Sequence, residues 1–136
     1  MKRPPTDREI LRKIYKRYYD QFSAFKRGDP DAERETKIYV PIDCEAIAKD
    51  LDVDPDIVFG RLYYHLEKKY GYVQQDGSKV QLFAFAVGKD RNAVHFPLLS
   101  AVLADLEQSW FRFTVPLIIS ALAFVISIIS LLCKGS

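Results

Sequence analysis

One stretch near the end of the chain leaves few options. From Phe113 to Cys133 there are 21 residues without a charge, 13 of them Leu, Ile, Val or Phe. As an α-helix this run is about 31 Å long, against a hydrocarbon core of about 30 Å. Each of the 13 favours insertion by about 0.3–0.6 kcal/mol, which offsets the three Ser, the Thr and the Pro among them. Trp110 and Arg112 stand before the run and Lys134 after it, where interfacial anchors sit. A buried core helix is rarely so long and so apolar all round. The expectation is a single membrane-spanning helix over 113–133 with a short tail, 134–136. A span so near the C-terminus inserts as a tail anchor, and the Lys and Arg before it place the preceding domain in the cytoplasm.

The 112 residues before the span suffice for one compact domain. Their charge is strongly segregated. Residues 1–27 hold nine Lys or Arg against three acids, whereas residues 28–58 hold ten acids against three bases. Of the two cysteines, Cys44 lies in the domain and Cys133 at the end of the span, so they cannot staple the domain, which fits a reducing compartment. The N-terminus, MKRPPTDREI, has no apolar run and is not read as a signal peptide. The expected division is a domain over 1–95, a connecting amphipathic helix over 96–112, and the span.

Within the domain, Thr6-Asp7-Arg8-Glu9 is a capping box for a helix over about 7–26. Its apolar face repeats through Ile10, Leu11, Ile14, Tyr15, Tyr18, Tyr19, Phe22 and Phe25. An acidic loop follows to about Glu35. Residues 37–42 read as a strand, an edge one because of Pro41. Asp43 caps a short helix, 44–51, and Asp52-Val53 makes a tight turn. Asp54-Pro55 then opens a helix to about Lys69 with Val58, Leu62 and Leu66 inward. Gly71 is expected in the left-handed region that ends helices. Strands over 72–75 and 79–87 meet at Asp76-Gly77.

Helix, short strand, helix, turn, helix and hairpin, with Ile47-Ala48-x-x-Leu51-x-Val53, Val58, Leu62, Leu66 and Gly71-Tyr72-Val73, resembles the winged helix-turn-helix superfamily over about residues 38–88. Asp52 departs from the glycine common at that turn. The resemblance implies an α+β winged-helix domain carrying an N-terminal basic amphipathic helix, followed by the single C-terminal transmembrane helix. It also implies that helix 55–69 is the recognition helix. Arg61, Tyr64, His65, Lys68, Lys69 and Lys79 would then form the nucleic-acid face. Asp52, Asp54 and Asp56 stand at the end that would approach phosphates, and Glu45 and Asp50 add to their charge.

Two further surfaces can carry contacts. Arg8, Arg12, Lys13, Lys16 and Arg17 form a basic helix face suited to anionic lipid headgroups or to the acidic region of another copy. Ser120, Ala123, Ser127 and Ser130 form a stripe of small residues through which two membrane helices can approach closely. Continued backward at the same spacing, it reaches Leu99 and Val102. The sequence holds no Ser/His/Asp set, phosphate-cradling glycine loop or CxxC. His65 and His95 have no second ligand at metal spacing and read as structural. The expectation is therefore a non-enzymatic interaction, assembly or regulatory module at the membrane surface, without cofactor or metal. The lipid bilayer is one partner, and a second copy or another membrane protein is the other. The alternative is a membrane-tethered transcription regulator that binds DNA. No small-molecule substrate is evident.

Overall fold

A computed structural model describes residues 3–30, 32 and 34–135 and divides the chain into two compact units, Met1–Leu103 and Ala104–Ser136. The chain is α+β with a long apolar C-terminal helix. Part of the acidic loop, Asp31 and Glu33, lies outside the described residues.

Helix α1 spans Asp7–Ser23, and the Thr6 hydroxyl accepts the Glu9 N–H at 3.1 Å. Arg3, bonded to the Glu9 carboxylate at 2.7 Å, holds that group below its ordinary range. Ile10, Leu11 and Ile14 are fully buried. The helix stops short of the expected residue 26 because its last turn is claimed from outside. Arg34 donates through Nη1 to the Gln21 carbonyl at 3.2 Å, filling one of the acceptors a helix end leaves open. The same guanidinium reaches the Thr36 carbonyl at 2.9 Å and the Lys37 carbonyl at 3.3 Å, and lies 4.6 Å from the Phe25 ring centre.

Strand β1 (Tyr39–Pro41) is shorter than expected, and α2 spans Cys44–Leu51. The Asp43 carboxylate accepts the N–H groups of Glu45 and Ala46, while its own N–H donates to the Tyr18 hydroxyl at 2.7 Å. Asp52 closes α2 at φ 57°, ψ 47°, the left-handed conformation that glycine would adopt with less strain.

The next helix departs most from expectation. It begins as α3 (Pro55–Gly60), capped by Asp54, and ends as α4 (Glu67–Tyr70). Between them Arg61–Leu66 is a π-helix, in which the Glu67 N–H reaches back five residues to the Leu62 carbonyl. Val58, Leu62 and Leu66 remain fully buried through this wider turn. Such π segments are rare and often sit at functional sites. Gly71 is extended (φ −66°, ψ 148°), not left-handed. Glycine is required there for space, since a Cβ would collide with the Glu67 carboxylate and lie 2.7 Å from the Glu67 carbonyl.

Strands β2 (Tyr72–Val73) and β3 (Lys79–Val80) make a small separate hairpin. The expected strand over 79–87 is broken, because the Leu82 N–H leaves the ladder for the Glu67 carboxylate at 2.7 Å. The chain then forms β4 (Phe83–Val87), turns at Gly88 with φ +57°, and returns as β5 (Asp90–His95), a strand not anticipated. The sheet order is β1-β5-β4, antiparallel throughout. Because Val40 and Ile42 face β5 in the ladder, Pro41 puts its missing donor on the open side, as an edge strand allows.

Burial raises the Glu67 pKa above 4.5, against the opposing pull of the Leu82 and Phe83 N–H groups. A carboxyl whose pKa is raised on folding loses stability for the fold as pH rises from the unfolded value through the raised one. Glu67→Gln keeps the acceptor without the charge, so it should flatten that part of a pH–stability profile. Glu67→Ala orphans the Leu82 N–H and should cost about 1–3 kcal/mol in urea unfolding.

Helix α5 spans Phe96–Lys134. Its first residues belong to the first unit: Phe96 and Leu99 are buried, and Phe96 stacks on Phe22 and Tyr15 with ring centres 4.6 and 5.5 Å apart. His95 caps this helix by accepting the Leu98 N–H at Nδ1 (3.1 Å), and burial keeps its imidazole below its ordinary pKa. In the second unit α5 is long and apolar enough to cross a membrane, and its most apolar window has no burial.

Candidate functional site

Charge separation in the sequence becomes partly internal pairing in the fold. Asp7, in the first turn of α1, accepts Arg61 Nη1 at 2.8 Å and lies 3.3 Å from His65 Nε2. Both ends of the Arg61–Asp7 pair are largely covered, with side-chain exposures of 22% and 18%. The Arg17–Asp50 pair, at 3.3 Å, is exposed and of the kind worth at most about 1 kcal/mol.

These pairs sort the proposed nucleic-acid face. Arg61 turns towards Asp7, as does His65, which stays 54% exposed. Tyr64, Lys68, Lys69 and Lys79 remain exposed, and Lys68 and Lys79 line one hollow with Tyr72 and Val73. The three aspartates ahead of this face, Asp52, Asp54 and Asp56, are all exposed. On α1, Arg12, Lys13 and Lys16 line a shallow groove with Glu9 and Leu51. Arg17 is drawn to Asp50, and Arg8 is half-buried one turn earlier.

The surface that sequence reasoning missed is aromatic. Phe59 stacks on Tyr63 with ring centres 5.5 Å apart and planes 10° from parallel. Phe59 also meets Phe83 edge-on at 5.7 Å and Phe85 at 6.4 Å. Tyr63 meets Tyr64 edge-on at 5.0 Å. Phe83 is buried, whereas Tyr63, Tyr64 and Phe85 are 44%, 72% and 56% exposed. The cluster straddles the π-helical segment and β4, and its own side chains carry no charge. Aromatic side chains bury large areas on contact, and such pairs hold their geometry. The signals were present: Phe59 and Tyr63 are four residues apart, and Phe83 and Phe85 share a strand face.

Burial, with the adjacent Asp43 charge, pushes the Cys44 thiol up to about 11, so it stays protonated at neutral pH. Among the described residues no group of three His, Cys, Asp or Glu could hold a metal ion.

In the second unit Ser120, Ala123, Ser127 and Ser130 are exposed, and the Ser127 hydroxyl donates to the Ala123 carbonyl at 3.0 Å. The stripe does not continue back as a contact surface, since Leu99 and Val102 belong to the core of the first unit. If it is a seam between copies, Ala123→Leu with Ser127→Leu should shift the full chain in mild detergent towards monomer in analytical ultracentrifugation. An unchanged distribution removes the stripe as a contact.

Comparison with known proteins finds no matching protein family, no matching curated protein and no matching solved structure.

Proposed function

We propose that the chain is a non-enzymatic protein-interaction module of winged-helix type, held at the cytoplasmic face of a membrane by α5. The carrying observation is the exposed, uncharged aromatic corner of Phe59, Tyr63, Tyr64 and Phe85. A contiguous apolar surface on an otherwise charged domain marks an interaction site. A tyrosine-rich one has the composition of protein interface cores. The anchor reading rests on the length and apolarity of the helix and on the absence of burial over its apolar window.

The winged-helix assignment is supported by the order α1, β1, α2, α3 and by a following hairpin that pairs with β1. That hairpin is β4–β5, so the wing is the Gly88-Lys89 turn and the Asp76-Gly77 hairpin is an addition before it.

A second reading, DNA binding, is favoured by the exposed Tyr64, Lys68 and Lys69. In that reading the wing cations are Lys89 and Arg91, with Lys79 on the added hairpin. The readings separate in one titration of the full chain, in nanodiscs, against labelled duplex DNA at 50–200 mM salt. The interaction reading expects nothing tighter than the non-specific range, about 10⁻⁴–10⁻⁶ M at physiological salt. Nanomolar binding that weakens steeply with salt, and loses about one unit of salt slope in Lys69→Ala, would establish the DNA reading instead.

A further inference from the structure

We propose that the outer face of α1 is a docking site for anionic phospholipid headgroups, centred on Lys13 and Lys16. The inference rests on the reading of α5 as a membrane span and is independent of the aromatic corner.

Folding uses the two sides of the charge separation unequally. In the acidic stretch, the Asp43 and Asp54 carboxylates hold helix N–H groups, and Asp50 holds Arg17 at 3.3 Å. In the basic stretch, Arg3 and Arg17 are paired with Glu9 and Asp50, and Arg8 and Arg12 are engaged as well. Lys13 and Lys16 are exposed and form no ion pair among the described residues. The unspent charge on α1 is positive.

These ammonium groups stand in a defined setting. Lys16 follows Arg12 by four residues and Tyr19 follows Lys16 by three, so the three share one strip of the helix. Lys13 flanks Lys16 at three-residue spacing. Arg12, Lys13 and Lys16 line a shallow groove with Leu51 and Glu9, and Arg3 neutralises Glu9 at 2.7 Å. Tyr19 is 46% exposed and packs on Tyr15 with ring centres 5.4 Å apart. Asp20, one turn beyond Lys16, is an exposed acid at the far end of the strip. Free cations beside a half-exposed tyrosine match a headgroup layer: the ammonium groups meet phosphate and carboxylate oxygens, and the ring takes an interfacial position.

The rival occupant is the acidic stretch of a second copy. It answers this face poorly, because Asp43, Asp50 and Asp54 are committed as described and Asp52 is engaged too. On and around α2 and α3 that leaves Glu45 and Asp56. The bilayer is always at hand. Nine residues, 104–112, join the first unit to the span, a reach of at most about 36 Å. Tethering within that reach raises the effective concentration of headgroups around α1. Near an anionic leaflet each Lys or Arg favours the bound state about fivefold.

The test uses the full chain with Cys44→Ser and Cys133→Ser, in lipid nanodiscs holding one chain each. A fluorophore is attached at Ser23→Cys, which continues the strip one turn past Tyr19. The discs carry a phospholipid with a nitroxide on its headgroup, which quenches the fluorophore on close approach. Quenching is expected to be at least about threefold stronger in discs rich in phosphatidylserine than in phosphatidylcholine discs. Lys13→Glu with Lys16→Glu should abolish that difference, since two charge reversals lower the bound ratio more than about a hundredfold. Both side chains are exposed and unpaired, so the change spares the fold, and the lipid comparison itself needs no substitution among these cations. The same charge change elsewhere, Lys68→Glu with Lys69→Glu, should leave the difference in place. Equal quenching in the two lipids, indifference to Lys13→Glu with Lys16→Glu, or an equal loss from the control pair each overturns the proposal. A signal that appears only with two chains per disc overturns it in favour of a second copy. Failure of the chain to enter discs removes the anchor reading, and this proposal with it; entry without quenching removes this proposal alone.

Discussion

Arginine at both Leu122 and Ile126 is expected to strip the chain from membranes. The two positions lie one helical turn apart near the middle of 113–133. An arginine at the centre of a spanning helix costs about 2.5–3.5 kcal/mol on insertion scales, and each apolar residue removed forfeits about 0.3–0.6 more. The pair therefore costs about 6–8 kcal/mol. The 13 strongly apolar residues of the run together supply about 4–8 kcal/mol on the same scale. Two substitutions thus cancel most of the drive for insertion. After alkaline carbonate extraction, wild-type protein should stay in the membrane pellet and the double variant should appear in the supernatant or as aggregate. Leu122→Ala with Ile126→Ala should remain in the pellet. Retention of the double arginine variant would mean that this helix does not hold the chain by crossing the bilayer.

Arg34→Ala should be among the most damaging single changes in the first unit, although the residue sits in a loop. The residue is 6% exposed, and its guanidinium donates to the carbonyls of Gln21, Thr36 and Lys37, tying the segment before β1 to the end of α1. Hydrogen bonds from a charged donor contribute about 1.5–3 kcal/mol each, and removing the donor leaves partly buried carbonyls to find water. The contact over Phe25 adds a cation–π term of about 0.5–1 kcal/mol or more. The losses are not additive, so about 3–5 kcal/mol is the expected cost. A domain of about 100 residues shifts its Tm by about 4–8 °C per kcal/mol, so a drop of at least about 12 °C should appear by circular dichroism. Arg34→Lys should recover little, because an ammonium cannot span carbonyls placed for a planar fork. A Tm change below about 3 °C would contradict this role.

Those two expectations differ in how much of their basis the sequence displays. The membrane helix is legible because its evidence is local: length, apolarity and flanking Trp110, Arg112 and Lys134. The caps at Thr6, Asp43 and Asp54 are legible for the same reason, since a side chain there bonds a backbone group two or three residues away. Arg34 is hidden because its partners include one thirteen residues distant, and nothing in an acidic loop marks a buried cation. β5 was missed because Asp90-Arg91-Asn92 look like a turn. Pairing of Asp90 and Arg91 with Val87 and Ala86 of β4, and of Ala93, Val94 and His95 with β1 more than fifty residues earlier, makes the segment a strand.

The candidate site was half legible. Tyr64, Lys68 and Lys69 were named because the winged-helix resemblance makes 55–69 a recognition helix, and Lys79 because it fell on the expected wing; all four are exposed. Arg61 was assigned to the same face by the same resemblance, but its guanidinium is engaged by Asp7, fifty-four residues earlier in α1. The pairs within the helix and within β4 could be read from spacing, but the joining of Phe59 to Phe83 and Phe85, more than twenty residues on, needed three-dimensional information. Gly71 was placed correctly at a helix end for the wrong reason: space beside Glu67 demands it, not a left-handed backbone.

The account turns on whether the aromatic corner touches protein while the chain sits in a membrane. A photo-crosslinking amino acid at Tyr64, in full-length chain expressed in intact cells, measures this directly, with the same probe at Asp76 as the control. The account predicts a discrete protein adduct in the membrane fraction from position 64 and none from position 76. Adducts to DNA from position 64, or equal and diffuse labelling from both positions, would contradict it.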